Sequence, residues 1–81
     1  MSNADITGPV LTTSYVELGH QFHDMIHADG DTRLATRYQH VVTGVHYVRD
    51  IYGNRFGEPV YEGRDDAAAN RAWVALYRKY N

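Results

Sequence analysis

The stretch Val45-His46-Tyr47-Val48-Arg49-Asp50, a turn around Gly53-Asn54, and Arg55-Phe56-Gly57-Glu58-Pro59-Val60-Tyr61 read together as a β-hairpin running into a helix. The arms are rich in β-branched and aromatic residues, and a Gly-Asn pair between such runs is turn chemistry. Beyond the hairpin, Asp65 or Asp66 can cap a helix, and their charge suits a helix N-terminus. Ala68, Ala69, Ala72, Trp73, Leu76, Tyr77 and Tyr80 then share one side, with Arg71 and Arg78 on the other and Lys79 at the margin. The predicted helix runs from Asp65-Asp66 to near Tyr80, with Trp73 at the centre of the core.

Working upstream, Thr32, Thr36, Val41, Val42, Thr43 and Val45 are stiff β-branched residues, so the segment from Arg33 to Thr43 reads as a strand although a helical stripe also fits it. A two-residue turn at Thr43-Gly44 sets Arg37 opposite Asp50. A second at Gly53-Asn54 sets Tyr52 opposite Arg55, Arg49 opposite Glu58, Tyr47 opposite Val60 and Ile51 opposite Phe56. A three-residue loop with Gly53 as a bulge is an alternative register. Pro59, lacking a ladder donor, puts this third strand at the sheet edge.

Further upstream, Thr12 or Thr13 can cap a helix. Tyr15, Leu18, Phe22, Met25 and Ile26 recur at helical spacing with Glu17, Gln21 and Asp24 opposite, and Ala28-Asp29-Gly30 terminates the run. The expected fold class is α+β: an N-terminal helix, a three-stranded antiparallel sheet and a C-terminal helix, with both helices packed on one sheet face. Residues 1–9 are expected to form a flexible lead, and 10–81 a single α-β-β-β-α domain.

Size and composition narrow the function. Eighty-one residues support one hydrophobic core, and a partner or a second copy often adds burial to a domain this small. The net charge of −2 is not that of a nonspecific polyanion binder. With no cysteine there is neither a disulfide framework nor a thiolate metal site. No apolar run approaches a membrane span and no secretory signal is visible, so the expected location is cytoplasmic.

Three constellations could carry chemistry. On a helix His20, His23 and His27 would lie on one side with Asp24. Imidazoles and a carboxylate suit zinc or nickel, with His23 and His27 as the credible pair and His40 or His46 as an outside ligand. The second is a layout. Glu17-Leu18, Gly44-Val45-His46, and Ala67, Ala72, Ala75 and Leu76 fall where the double-stranded-RNA-binding domain has its helix-one Glu-Leu, its loop Gly-Pro-x-His and the small-residue rhythm of its second helix. The chain thus resembles that family over residues 9–77. The resemblance implies helix, three strands, helix, but the basic start of the family's second helix is replaced by Arg64-Asp65-Asp66, which would repel phosphate. The third is catalysis, for which the sequence offers little. Ser2 and Ser14 are its only serines, Lys79 its only lysine, and Gly53, Gly57 and Gly63 are spaced for turns rather than a phosphate loop.

The function these features favour is a small non-enzymatic, protein-binding regulatory module, of a kind phages often encode, acting through an exposed sheet face or edge. Its contact residues would be His46, Tyr52, Arg55 and Tyr61, because tyrosine and arginine make strong anchors when a partner buries them. A second copy is a further candidate partner through edge pairing. No cofactor is expected. The alternatives are a nucleic-acid-binding module using Arg33, Arg37, Arg55 and Arg64, and a histidine-based metal-binding protein.

Overall fold

A computed structural model describes residues 11–54 and 57–80. The expected lead at 1–9 lies outside the described residues, as do Arg55 and Phe56. The architecture is a five-stranded antiparallel meander, β1 Leu11–Glu17, β2 His20–Ile26, β3 Arg33–Gln39, β4 His46–Asp50 and β5 Tyr61–Gly63, followed by one helix, α1 Asp66–Tyr80. The class is α+β, but the expected N-terminal helix and three-stranded sheet are both incorrect. Residues 11–26 form a β-hairpin, which also removes the layout behind the double-stranded-RNA-binding resemblance. Glu17 ends β1 rather than sitting in a first helix.

The physical reason lies at Leu18-Gly19. Glu17 pairs with His20, leaving a two-residue loop in which Leu18 and Gly19 both have positive φ, 53° and 80°. Two such residues in succession are the mark of a type I′ turn, whose twist matches the flanking strands. The turn folds Tyr15 directly onto Phe22. A separation of seven residues is two turns of a helix, but it also joins facing partners across a two-residue turn. The apolar spacing therefore fits both structures.

The remaining ladders correct the expected registers by two residues. Arg37 faces Val48, and Ala35 faces Asp50. The β3–β4 connection is wider than a two-residue turn: His40 N–H donates to Val45 O at 2.9 Å, Gly44 N–H to His40 O at 2.9 Å, and Val42 and Thr43 N–H to His40 Nδ1 at 3.2 Å. In the last ladder Tyr47 faces Glu62 rather than Val60, and β5 begins at Tyr61. Ile51 and Tyr52 N–H both donate back to Leu34 O at 3.0 Å, which draws the chain off the ladder until Val60 N–H reaches Val48 O at 2.8 Å. A slip of two keeps every side chain on its expected face, whereas a slip of one would have inverted them all.

The core joins Met25, Leu34, Ala35 and Val48 of the sheet to Ala69, Leu76 and Tyr80 of α1, with Tyr61, Ala72 and Trp73 partly buried around it. Trp73 is therefore at the margin rather than the centre. A bulge helps to build this core: Met25 pairs with Ala35 but Ile26 with Arg33, so Leu34 is the extra residue. The bulge breaks the alternation and lets the consecutive Leu34 and Ala35 both enter the core. Each large aliphatic side chain buried here contributes about 1.5–3 kcal/mol.

α1 is fixed at both ends. Asp65 Oδ1 accepts from Ala68 N–H at 3.2 Å, a side-chain cap, and Asp65 N–H donates to Tyr61 Oη at 3.0 Å. At the other end the buried Asp50 carboxylate accepts from Lys79 Nζ, Tyr80 Oη and, at 3.0 Å, Gly53 N–H. The helix packs on β3, β4 and β5. The β1–β2 hairpin projects beyond it, and β1 has no buried residue.

Candidate interaction face

Opposite α1, one register row of the sheet is aromatic on four successive strands. Tyr15 pairs with Phe22, Phe22 with Tyr38, and Tyr38 with Tyr47, before the row ends at Glu62 on the β5 edge. Tyr15 and Phe22 stack with centroids 5.1 Å apart and planes 5° from parallel. Phe22 and Tyr38 are 4.8 Å apart and tilted, and Tyr38 and Tyr47 stack at 4.9 Å. All four rings are half-buried, because each is covered on its flanks by the next and open above. Such contacts are worth about 0.5–1.5 kcal/mol per pair beyond their burial, so the row also stiffens the sheet.

The row has an apolar rim at one end. His20 lies against Phe22 and Tyr38, edge-on to His40 at 4.8 Å, and is oriented by Nδ1–H donating to Leu18 O at 2.9 Å. A hollow of about 340 Å³ opens between these rings, Leu18 and Tyr47. Leu18 is 90% exposed and Val42 84%, both in the turns beside it. On the other side of the row Asp24 is buried, accepting from Thr36 Oγ1 at 2.6 Å and pairing with Arg33 at 3.3 Å. Burial, reinforced by the Asp24 charge, raises the Tyr15 phenol above its ordinary value of 10.0 and keeps it neutral. The charged groups flanking the row are of both signs, Glu17, Glu62 and Arg49 among them.

The sequence-predicted contact residues do not converge. His46 is buried under the start of α1, its Nε2 3.5 Å from Asp66 Oδ1. Tyr61 packs on the core edge and supports the helix start. Tyr52 is exposed in the β4–β5 connection, edge-on to Tyr80 at 6.1 Å. Arg55 lies outside the described residues.

The strand also separates the histidine row. His20 is on the open face. His23 is on the α1 side, hydrogen-bonded to Ser14 at 2.8 Å, and His27 follows the strand and contacts Asp29 at 3.2 Å. No group of three metal-ligating side chains gathers among the described residues. The arginines are spread as well: Arg33 pairs with Asp24, Arg37 lies on the α1 side, and Arg64 donates to Thr43 O at 3.1 Å.

What sequence reading missed was the aromatic row itself. Its signal was Tyr15 and Phe22 placed symmetrically about Leu18-Gly19, which has meaning only once that pair is taken as a turn.

Comparison with known proteins finds no match to a family model, to a curated protein or to a solved structure. No helix among the described residues is long and apolar enough to cross a membrane.

Proposed function

We propose that this chain is a small non-enzymatic interaction module of the cytoplasm that docks on a partner protein through the open face of its sheet. The observation that carries the reading is the registered row Tyr15, Phe22, Tyr38 and Tyr47, with exposed Leu18 and Val42 at its rim. Tyrosines give large, rigid contact area with a polar tip, the chemistry enriched at protein interfaces. The mixed charge around the row suits a protein surface better than a phosphate backbone, which needs a basic track beside its stacking platform.

The test is a photo-crosslinking amino acid placed at Tyr47 and, as a control on the outer side of α1, at Arg71. A defined protein adduct from Tyr47 alone, lost on adding Tyr38→Ala, supports the reading. An adduct the size of a dimer would name a second copy. Equal labelling from both positions, or none from either, overturns it.

A further inference from the structure

We propose that the cleft between α1 and the β1–β2 hairpin, on the sheet face opposite the aromatic row, binds a small molecule bearing a carboxylate or phosphate group, with Arg37 as its anchor. The sheet surface that faces the helix divides into two halves. One half is apolar, Met25, Ala35 and Val48 against Leu76 and Tyr80. In the other half the same registers carry Ser14, Gln21, His23, Arg37 and Gln39, which with Asn70 and Trp73 line a cleft of about 540 Å³. That volume is within the range of small-molecule sites, about 300–1,000 Å³. Ser14, Gln21, His23 and Gln39 are exposed there, so the half that α1 leaves uncovered presents hydrogen-bonding groups to solvent around the less exposed Arg37.

Arg37 gives the cleft its chemistry. The residue is half-buried as a whole, and its guanidinium donates to Asn70 Oδ1 at 3.2 Å and lies 5.8 Å from the Trp73 ring centroid. Among the described residues it has no carboxylate partner, whereas Arg33 has Asp24 and Lys79 has Asp50. The one carboxylate on the cleft rim, Asp66, is solvent-exposed, with its Oδ1 3.5 Å from His46 Nε2, and it makes no ion pair with Arg37. Asn70 and Trp73 thus hold the guanidinium in place while leaving its charge unmet. A planar fork held in that way is suited to bidentate recognition of an oxyanion. Around it lie the Ser14–His23 pair and the amides of Gln21 and Gln39, each of which already spends one N–H on a backbone carbonyl, Tyr15 O at 3.5 Å and Gly44 O at 3.1 Å.

Trp73 is the single tryptophan of the chain and sits between the cleft and the core edge, so its fluorescence reports on the cleft without interference from a second indole. Inorganic phosphate and succinate are titrated separately at constant ionic strength, with the backbone and side-chain amides followed by NMR in parallel. The expected result is a saturable change at Trp73 and at the Asn70 and Gln39 amides. Saturation by phosphate alone, by succinate alone or by both names the group accepted. Binding should weaken at least tenfold in Arg37→Gln and be unchanged in Arg71→Gln. Asn70→Asp is the decisive variant, because it supplies a carboxylate to Arg37 from an exposed helix position. It should abolish binding with the melting temperature kept or raised. The proposal is overturned if neither ion saturates either signal, or if Arg37→Gln and Asn70→Asp both titrate like the wild type.

Discussion

Asp50 holds together three parts of the chain that are distant in sequence. Burial alone would raise its carboxyl, but hydrogen bonds from Lys79, Tyr80 and Gly53 N–H outweigh burial and hold it below its ordinary 3.8. Burial, and then the hydrogen bond to Asp50, push the Tyr80 phenol well above 10.0. The two shifts act at opposite ends of the pH scale. A depressed carboxylate contributes stability above its unfolded pKa and loses it as pH falls through the folded value; a raised phenol contributes below pH 10 and loses it as pH climbs past its folded value. Asp29 adds to the acid side: the N–H groups of Asp31 and then Thr32 lower it to about 2 from 3.8. Urea unfolding between pH 2 and 7 should therefore show a fall in stability below about pH 4. Asp50→Asn should flatten part of that fall and cost about 1–3 kcal/mol at neutral pH, the penalty for breaking a charge-assisted network. Gly53 belongs to the same arrangement, because a Cβ there would lie 2.8 Å from the Asp50 carboxylate and 3.0 Å from Tyr80 Oη. Gly53→Ala should destabilise in the same assay by about 1–2 kcal/mol through displacement of that cluster.

At the scale of elements, legibility in the sequence followed the locality of the signal. The helix over 66–80 could be read because its cap, its periodicity and its terminal cations all lie within its own span. The β1–β2 hairpin could not, because the spacing of Tyr15 and Phe22 fits a helix and a hairpin equally. The residue that decides between them, Leu18, is a poor former of the turn it occupies. The β3–β4 ladder was displaced by two residues because the loop closed by His40 is wider than a two-residue turn, and the β4–β5 ladder because hydrogen bonds from Ile51 and Tyr52 to Leu34 O, which no local pattern encodes, set where pairing resumes. The candidate face was hidden for the same reason: its row exists only in the register. Two predictions belong at this scale. A leucine at φ 53° is strained where asparagine is at ease, and Asn-Gly is the favoured type I′ pair. Leu18→Asn should stabilise the chain by about 1 kcal/mol, seen as a raised melting temperature, with the hairpin's NMR cross-strand contacts retained. Asp65→Ala should cost about 1 kcal/mol by removing the cap on Ala68 N–H, and amide exchange in the first turn of α1 should quicken.

At the scale of the molecule, the apolar core and the polar half of the helix-facing sheet surface occupy different places. An 81-residue domain has about 4–12 kcal/mol of folding free energy at the usual 0.05–0.15 kcal/mol per residue. Seven buried side chains, four from the sheet and three from α1, pack together where the helix covers the sheet. Leu76 is 5% exposed among Met25, Leu34 and Val48, so Leu76→Ala leaves a cavity that the small core cannot close. It should cost about 2–5 kcal/mol, a large share of the total. Ser14 and Gln21 project from the same sheet face only a few residues away, yet both are exposed on the hairpin that the helix leaves uncovered. Ser14→Ala and Gln21→Ala should each change stability by no more than about 0.5 kcal/mol. Chemical denaturation of the three variants beside the wild type checks the division. A cost above 1.5 kcal/mol for Ser14→Ala or Gln21→Ala would mean that the polar half is structural, and that the sheet gains as much from its hydrogen bonds there as from its core.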